Sequence, residues 1–477
     1  MSSWILREAA LPRMVYTRPL GTSELGFYWD GEFAGTGDTL QHVLGELRSV
    51  EYRALLSNEN LTKAWIGLKQ RFPLLASTID SQPDEGGASF VVDAEHLQCI
   101  RPGELNIQEV DSAQDVENFN DKLITGPRQL SAQLPTRAWI LLRRDSWRHF
   151  HVITHIAHVI TDGLSNAVIL RELFNSICGV TVEHLRGLED RLSLSVSMES
   201  LHPLGKISVA RKRWRFAIAS VIEARRSEKL LVRRRMSRQD MRLMHEQGGH
   251  TLPRSVTPNT VHTPARSRLE LFAFPTDVSM CILANCRKSQ ITFGHAFPVL
   301  AQIAQANILH RLRRQNRVND AEWEYRLSQP MHFEGPRSLR SYLQPEWYSV
   351  GGFDAVGVFC SNFTNTLPSM PSHGNSEPDS TLDHTRAMTK ERFLYRSRLV
   401  KQDMTESGNH PLLFEFSMLF HQRRSLQSKE AAQTWRRLRN LESSPDNARQ
   451  MTLVKEYPGN GEVIFANGGS SMGNVSQ

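Results

Sequence analysis

Apolar and polar positions along the chain alternate between helical spacing and short strand-like runs. Residues about 38–72 read as helices: Leu61, Ala64, Trp65 and Leu68 recur at helical spacing, and Pro73 ends the run. Leu74 to Ile79 and Ala88 to Val92 then read as strands, with Pro83, Gly86 and Gly87 supplying the turn between them. Ala138 to Leu142 and Trp147 to Ile156 predict a second hairpin around Asp145 and Ser146. Gly163 opens a helix whose predicted apolar stripe is Leu164, Ala167, Val168, Leu170, Leu173, Phe174 and Ile177.

From roughly 185 to 262 the chain is polar, basic and poor in strand signals, and ends with Pro253, Pro258 and Pro264. Such a stretch reads as a long crossover or an exposed insertion. Beyond it, Leu269 to Phe274 predicts a short strand, Thr276 to Cys286 and Phe293 to Leu312 predict helices, Val356 to Leu367 is strand-rich, and Met451 to Phe465 predicts a last extended element. The expected division is an N-terminal lobe over 1–190, a basic crossover over 191–262 and a C-terminal lobe over 263–477. Two halves that each mix helices with short strands make an α/β architecture with two lobes.

Composition narrows the class. The 477 residues are 40% hydrophobic and 22% charged, ordinary for a globular chain and long enough to bury a substrate channel. Cys99, Cys178, Cys281, Cys286 and Cys360 are odd in number and form no C-x-x-C pair, which speaks against a disulfide framework or a zinc site; no metal is expected. The start, Met1 to Arg7, carries no basic stretch followed by an apolar run, and no stretch of about 18 apolar residues occurs, so a cytoplasmic protein is expected. The net charge of +7 is local: between Lys206 and Arg238 stand twelve Lys or Arg against Glu223 and Glu228.

The informative stretch for chemistry runs from Thr154 to Gly163, THIAHVITDG. A hairpin strand ends there and a helix begins, a place where side chains point into clefts. A histidine at such a position, with an unperturbed pKa of about 6.5, is able to accept a proton near neutral pH. Asp162 follows His158 by four residues, and Gly163 is expected to permit a tight turn that a side chain would obstruct. The plainer account of H-x-x-x-D-G is a buried histidine satisfied by a carbonyl, with Asp162 capping the next helix.

Several segments in order tilt the balance. Leu61 to Leu75, Val152 to Phe174, Ile291 to Leu309, Val356 to Pro368 (VGVFCSNFTNTLP) and Ser470 to Asn474 together resemble the coenzyme A-dependent acyltransferase superfamily. That group includes chloramphenicol acetyltransferase, plant H-x-x-x-D-G acyltransferases, peptide-synthetase condensation domains and fungal alcohol acetyltransferases, the last of which this sequence resembles most. The resemblance implies two chloramphenicol acetyltransferase-like lobes with a tunnel between them and His158 midway along it as general base. It implies an acyl-CoA co-substrate, acetyl-CoA by default, and a small hydroxylated acceptor such as a terpenoid. It also implies that Asp162 turns away from the tunnel and pairs with an arginine, for which Arg337 and Arg340 are the candidates. Ser361, Asn362, Thr364 and Asn365 become candidates for the oxyanion or substrate contacts.

The sequence departs from that pattern in places. Ala157 stands where many members carry a first histidine, the plant D-F-G-W-G is echoed only by Gly351 to Gly357, and the spacing from Gly357 to Asn365 exceeds that of condensation domains. His155, on the other face of its strand, reads as structural. A condensation-type enzyme with a carrier-bound donor is the first alternative, although no carrier segment is seen, and an inactive binding relative is the second. The basic run with Trp214, Phe216, Ile218, Val221 and Ile222 reads as a crossover helix packed on the second lobe. A weak membrane-surface contact through 206–238 is its alternative, and nucleic acid is not expected as a partner. The expected oligomeric state is a monomer.

Overall fold

The computed structural model describes residues 4–7, 14–33, 35–82, 87–180, 187–226, 274–316, 318–320, 323, 328, 330–370 and 388–442. The strand expected up to Phe274, the element expected at 451–465, the segment 470–474 and the basic residues beyond 226 therefore lie largely or wholly outside the described residues.

The first half carries two sheets. β1 (Ile5–Arg7), β2 (Val15–Pro19), β4 (Thr78–Gln82) and β5 (Gly87–Asp93) form an antiparallel sheet in the order β1-β2-β5-β4. β3 (Thr39–Glu46), β6 (Leu105–Val110), β7 (Thr136–Arg143) and β8 (His149–Ile156) form the second, in the order β3-β8-β7-β6, with only β6 and β7 parallel. The 138–156 hairpin is present, with Thr136 opposite Ile156. The helical reading of 38–72 holds only for its second part. Residues 39–46 are a strand paired along its whole length with β8, and Val50–Leu56 is a 3-10 turn. Cross-strand pairing outweighs local preference there, as it commonly does at a sheet edge.

Helices α1 (Thr22–Glu32), α2 (Asn58–Arg71), α3 (Ala113–Thr125) and α4 (Gly163–Ile177) flank these sheets. On α4 the buried line is Ser165, Val168, Ile169, Glu172 and Leu173, while Ala167 is exposed, so the predicted stripe is rotated by part of a turn. α5 (Leu188–Leu194) and α6 (209–226) follow. In the second half α7 (Thr276–Lys288) and α8 (Phe293–Arg314) match the predicted helices. β9 (Met331–Ser338), the short α9 (Pro345–Ser349), β10 (Cys360–Leu367), α10 (Lys390–Gly408) and α11 (Leu413–Glu442) complete the second lobe. β9 and β10 pair antiparallel, with Ser361 opposite Arg337.

The lobes share one core. The largest cluster of buried apolar side chains joins Trp65, Leu75, Phe90, Val152, Ile156 and Ile160 of the first half to Val356, Val358 and Ala432 of the second. α1 lies along α11, so the earliest and the latest described helices meet directly. This junction surrounds the end of β8 and thereby the H-x-x-x-D-G loop.

Candidate active site

β8 ends at Ile156, and His158 follows in the turn that leads to α4. Its Nδ1 lies 2.6 Å from the carbonyl of Thr161. A carbonyl only accepts, so Nδ1 carries the proton and Nε2 holds the lone pair. Nε2 has no hydrogen-bond partner among the described residues. The ring is partly accessible yet densely surrounded by protein, so it is neither sealed in the core nor free in bulk solvent. Burial pushes its pKa below the ordinary histidine value, and the nearby Arg424 acts in the same direction. The carbonyl contact and the Asp162 carboxylate oppose the shift without reversing it. The imidazole is thus neutral near neutral pH, with its basic nitrogen unengaged.

Three elements close around it. Phe27 of α1 stacks on the imidazole, with ring centroids 3.7 Å apart and planes inclined by 19°. Arg424 of α11 places its guanidinium carbon 3.6 Å from the centroid of the same phenyl ring and pairs with Asp30 of α1. His421, also on α11, donates from Nε2 to the Cys360 carbonyl at 2.8 Å, and burial brings its pKa down to about 4. Cys360 opens β10, and burial pushes its thiol up to about 12, so it stays protonated. Phe27, Cys360, His421 and Arg424 escape a reading of the sequence because they come from segments hundreds of residues apart. Their only local signal is spacing: Phe27 and Asp30, like His421 and Arg424, stand three apart on their helices and share a face.

Asp162 points the other way. It caps α4 by accepting from the Ser165 N–H at 2.8 Å and accepts from the Phe359 N–H at 2.9 Å. Arg340, itself buried, grips both carboxylate oxygens at 2.9 and 3.1 Å and donates to the Ser165 hydroxyl at 2.7 Å and the Ala355 carbonyl at 3.1 Å. Ser165 in turn donates to the Gly357 carbonyl at 2.9 Å. Burial alone would raise the pKa of Asp162; the guanidinium and the two backbone N–H groups outweigh it and hold the carboxyl below its usual range. Capping and pairing are both present, so the plainer account of Asp162 and the arginine account describe the same carboxylate.

Arg337 is not the partner of Asp162. It donates to the Met404 carbonyl at 3.0 Å and the Ser407 hydroxyl at 2.7 Å. Its strand position opposite Ser361 points it toward α10, whereas Arg340 lies in the turn after β9. The turn before α4 does not require the glycine at Gly163 either. Its φ is not positive, and a Cβ built there would meet nothing within 4 Å. Among the oxyanion candidates, Ser361 and Asn365 are buried on one face of β10, and both polar atoms of the Asn365 amide are buried without a partner. Asn362 and Thr364 are exposed on the other face, which they share with Cys360. β10 therefore splits the four candidates into two pairs. His155 is buried on β8, and burial brings its pKa down to about 4. Among the described residues no group of three or more His, Cys, Asp or Glu is placed to hold a metal ion.

A two-lobed α/β chain with this junction has a chloramphenicol acetyltransferase-like fold. Among solved structures it is similar to TRI3 trichothecene 15-O-acetyltransferase from Fusarium sporotrichioides, with a TM-score of 0.53 and 12% identity over 89% of this chain and 79% of that one. It is also similar to the condensation domain of the Monacolin K polyketide synthase MokA (TM-score 0.44, 13% identity, 87% of this chain and 77% of that one). A further likeness is to F. sporotrichioides TRI101 complexed with coenzyme A and T-2 (TM-score 0.40, 12% identity, 84% and 79%). The fold assignment rests on the first of these. No family profile matches the sequence, and neither does any curated protein.

Proposed function

We propose that the protein moves an acyl group from a coenzyme A thioester to a hydroxyl, with His158 as general base. Nε2 takes the proton of the acceptor hydroxyl while the oxygen attacks the thioester carbonyl carbon. The tetrahedral intermediate collapses, the carbon–sulfur bond breaks, and the departing thiolate recovers the proton from the imidazolium. The observation that carries this reading is the anchored Nδ1 and unengaged Nε2 of a neutral, partly accessible ring at the lobe junction. Asp162 and Arg340 hold the loop and touch no reacting atom. The proposed acceptor is a small hydroxylated specialised metabolite such as a terpenoid, the proposed acyl group acetyl and the proposed state a monomer.

The test is a panel of alcohols with acetyl-CoA, followed by release of free thiol. His158→Ala is expected to lower turnover by at least ~10²-fold with an unchanged melting curve. Turnover retained in that variant ends the proposal. A second reading, a condensation-type enzyme, draws support from the F-x-N-T-x-P run at 363–368, which occupies most of β10. Carrier-loaded acyl donors used where acyl-CoA is refused would favour it. A folded chain that releases thiol from neither donor would favour a binding relative.

A further inference from the structure

Phe27 carries a group on each of its two faces. The imidazole of His158 lies 3.7 Å from the phenyl centroid and nearly parallel to it. The guanidinium carbon of Arg424 lies 3.6 Å from the same centroid. Two groups that close to one centroid would overlap if they shared a face, so they occupy opposite faces. The result is a guanidinium–phenyl–imidazole stack running from α11 through α1 to the H-x-x-x-D-G loop. A phenyl face attracts one cation through its quadrupole. A second cation on the far face gains less from the ring and is repelled by the first across a low-dielectric gap.

We propose that Arg424 is a positioning residue of this site: from the far face of Phe27 its guanidinium disfavours a second cation on the near face and so holds His158 stacked and unprotonated. This rests on the reading of His158 as base. It assigns a purpose to a partly buried cation that the acyl-transfer steps do not otherwise use. It also aids the return of the proton, because the imidazolium formed in the first step is the better acid for being disfavoured. Asp30, paired with Arg424, tempers the charge without cancelling it, since Arg424 still acts against protonation of His158. The other groups around the imidazole do not replace it. Asp162 favours the imidazolium but is itself engaged by Arg340, His421 is neutral with a pKa of about 4, and Cys360 is a protonated thiol.

Histidine imidazole NMR titration tests this without any knowledge of the acceptor. The His158 signal is assigned by its loss in His158→Ala. Its titration midpoint is expected below the ordinary value of about 6.5 in the wild type and in Arg424→Lys. In the double variant Asp30→Asn/Arg424→Met, which removes the cation without exposing a lone carboxylate, the midpoint is expected to rise by about half a pH unit or more. If that pair does not fold, Asp30→Asn/Arg424→Gln keeps a planar group over Phe27 and carries the same expectation. An unchanged midpoint in the folded double variant overturns the proposal. A merely structural role would lower turnover equally at all pH, whereas the stack predicts an acid limb of kcat/KM that moves up with the NMR midpoint. Thiol release surviving in His158→Ala sinks the assignment of the base and leaves the titration result standing.

Discussion

At the scale of single residues, Asp162 illustrates how a buried charge is made tolerable. Its two oxygens receive four hydrogen bonds, two from Arg340 and one each from the Ser165 and Phe359 backbones. Removing one partner strands the other charge in a low-dielectric site, which typically costs about 3–5 kcal/mol. Arg340→Met is therefore expected to destabilise by that order in urea unfolding. Asp162→Asn/Arg340→Met should cost clearly less than the sum of its single variants, because the two share one interaction. A cost for Arg340→Met below about 1 kcal/mol would mean that water reaches the pair. Gly163, by contrast, has room for a methyl group at the first position of a helix. Gly163→Ala is expected to leave the melting temperature unchanged or slightly raised, since alanine is the better helix former. A marked loss of stability would show that the turn needs the glycine after all.

At the scale of elements, the informative surprise is β3. Its residues carry apolar side chains that read as helix, yet every position pairs with β8. Gly45 sits over the Phe150 ring of the neighbouring strand, where a Cβ would overlap the ring. Gly45→Val should cost about 1–3 kcal/mol through overpacking, measured by denaturant unfolding; no cost would mean that the strand end is free to shift. α6 makes the complementary case. Phe216, Ala219 and Ile222 pack against Leu412, Phe416 and Leu419 around the start of α11, and Arg215 pairs with Glu415. Trp214 stands on the outer side, 68% exposed. The packing on the second lobe expected for this basic helix thus uses Phe216 and Ile222 and leaves its tryptophan out. Phe216→Ala is expected to cost roughly 2 kcal/mol and Trp214→Ser less than about 0.5 kcal/mol in the same measurement. Equal costs would contradict that orientation.

At the scale of the whole molecule, several buried neutral histidines link stability to pH. Burial brings His151, His155 and His421 to about 4. In the unfolded chain each titrates near 6.5, so between about 6.5 and about 4 the unfolded state binds protons that the folded state does not. Stability from these groups is whole above that window and falls as pH drops through it. Melting temperature measured from pH 7.5 to about 4.5 should decline steadily, and a flat profile would mean that these rings protonate without unfolding. No helix among the described residues is long and apolar enough to cross a membrane. The residues alone were enough to read the 138–156 hairpin, α4, α7, α8, the strand at the end of 356–367, the two-lobed α/β plan and the placing of His158 and Asp162 between a strand end and a helix start. Each is encoded in a short window, where side-chain period and turn residues act within a few positions. Tertiary packing alone chose Arg340 over Arg337, turned 39–46 into a strand, divided Ser361 and Asn365 from Asn362 and Thr364, and stacked Phe27 and Arg424 on the imidazole. Those outcomes depend on contacts between segments up to about 400 positions apart. Their energies arise from burial and charge pairing that no local window contains.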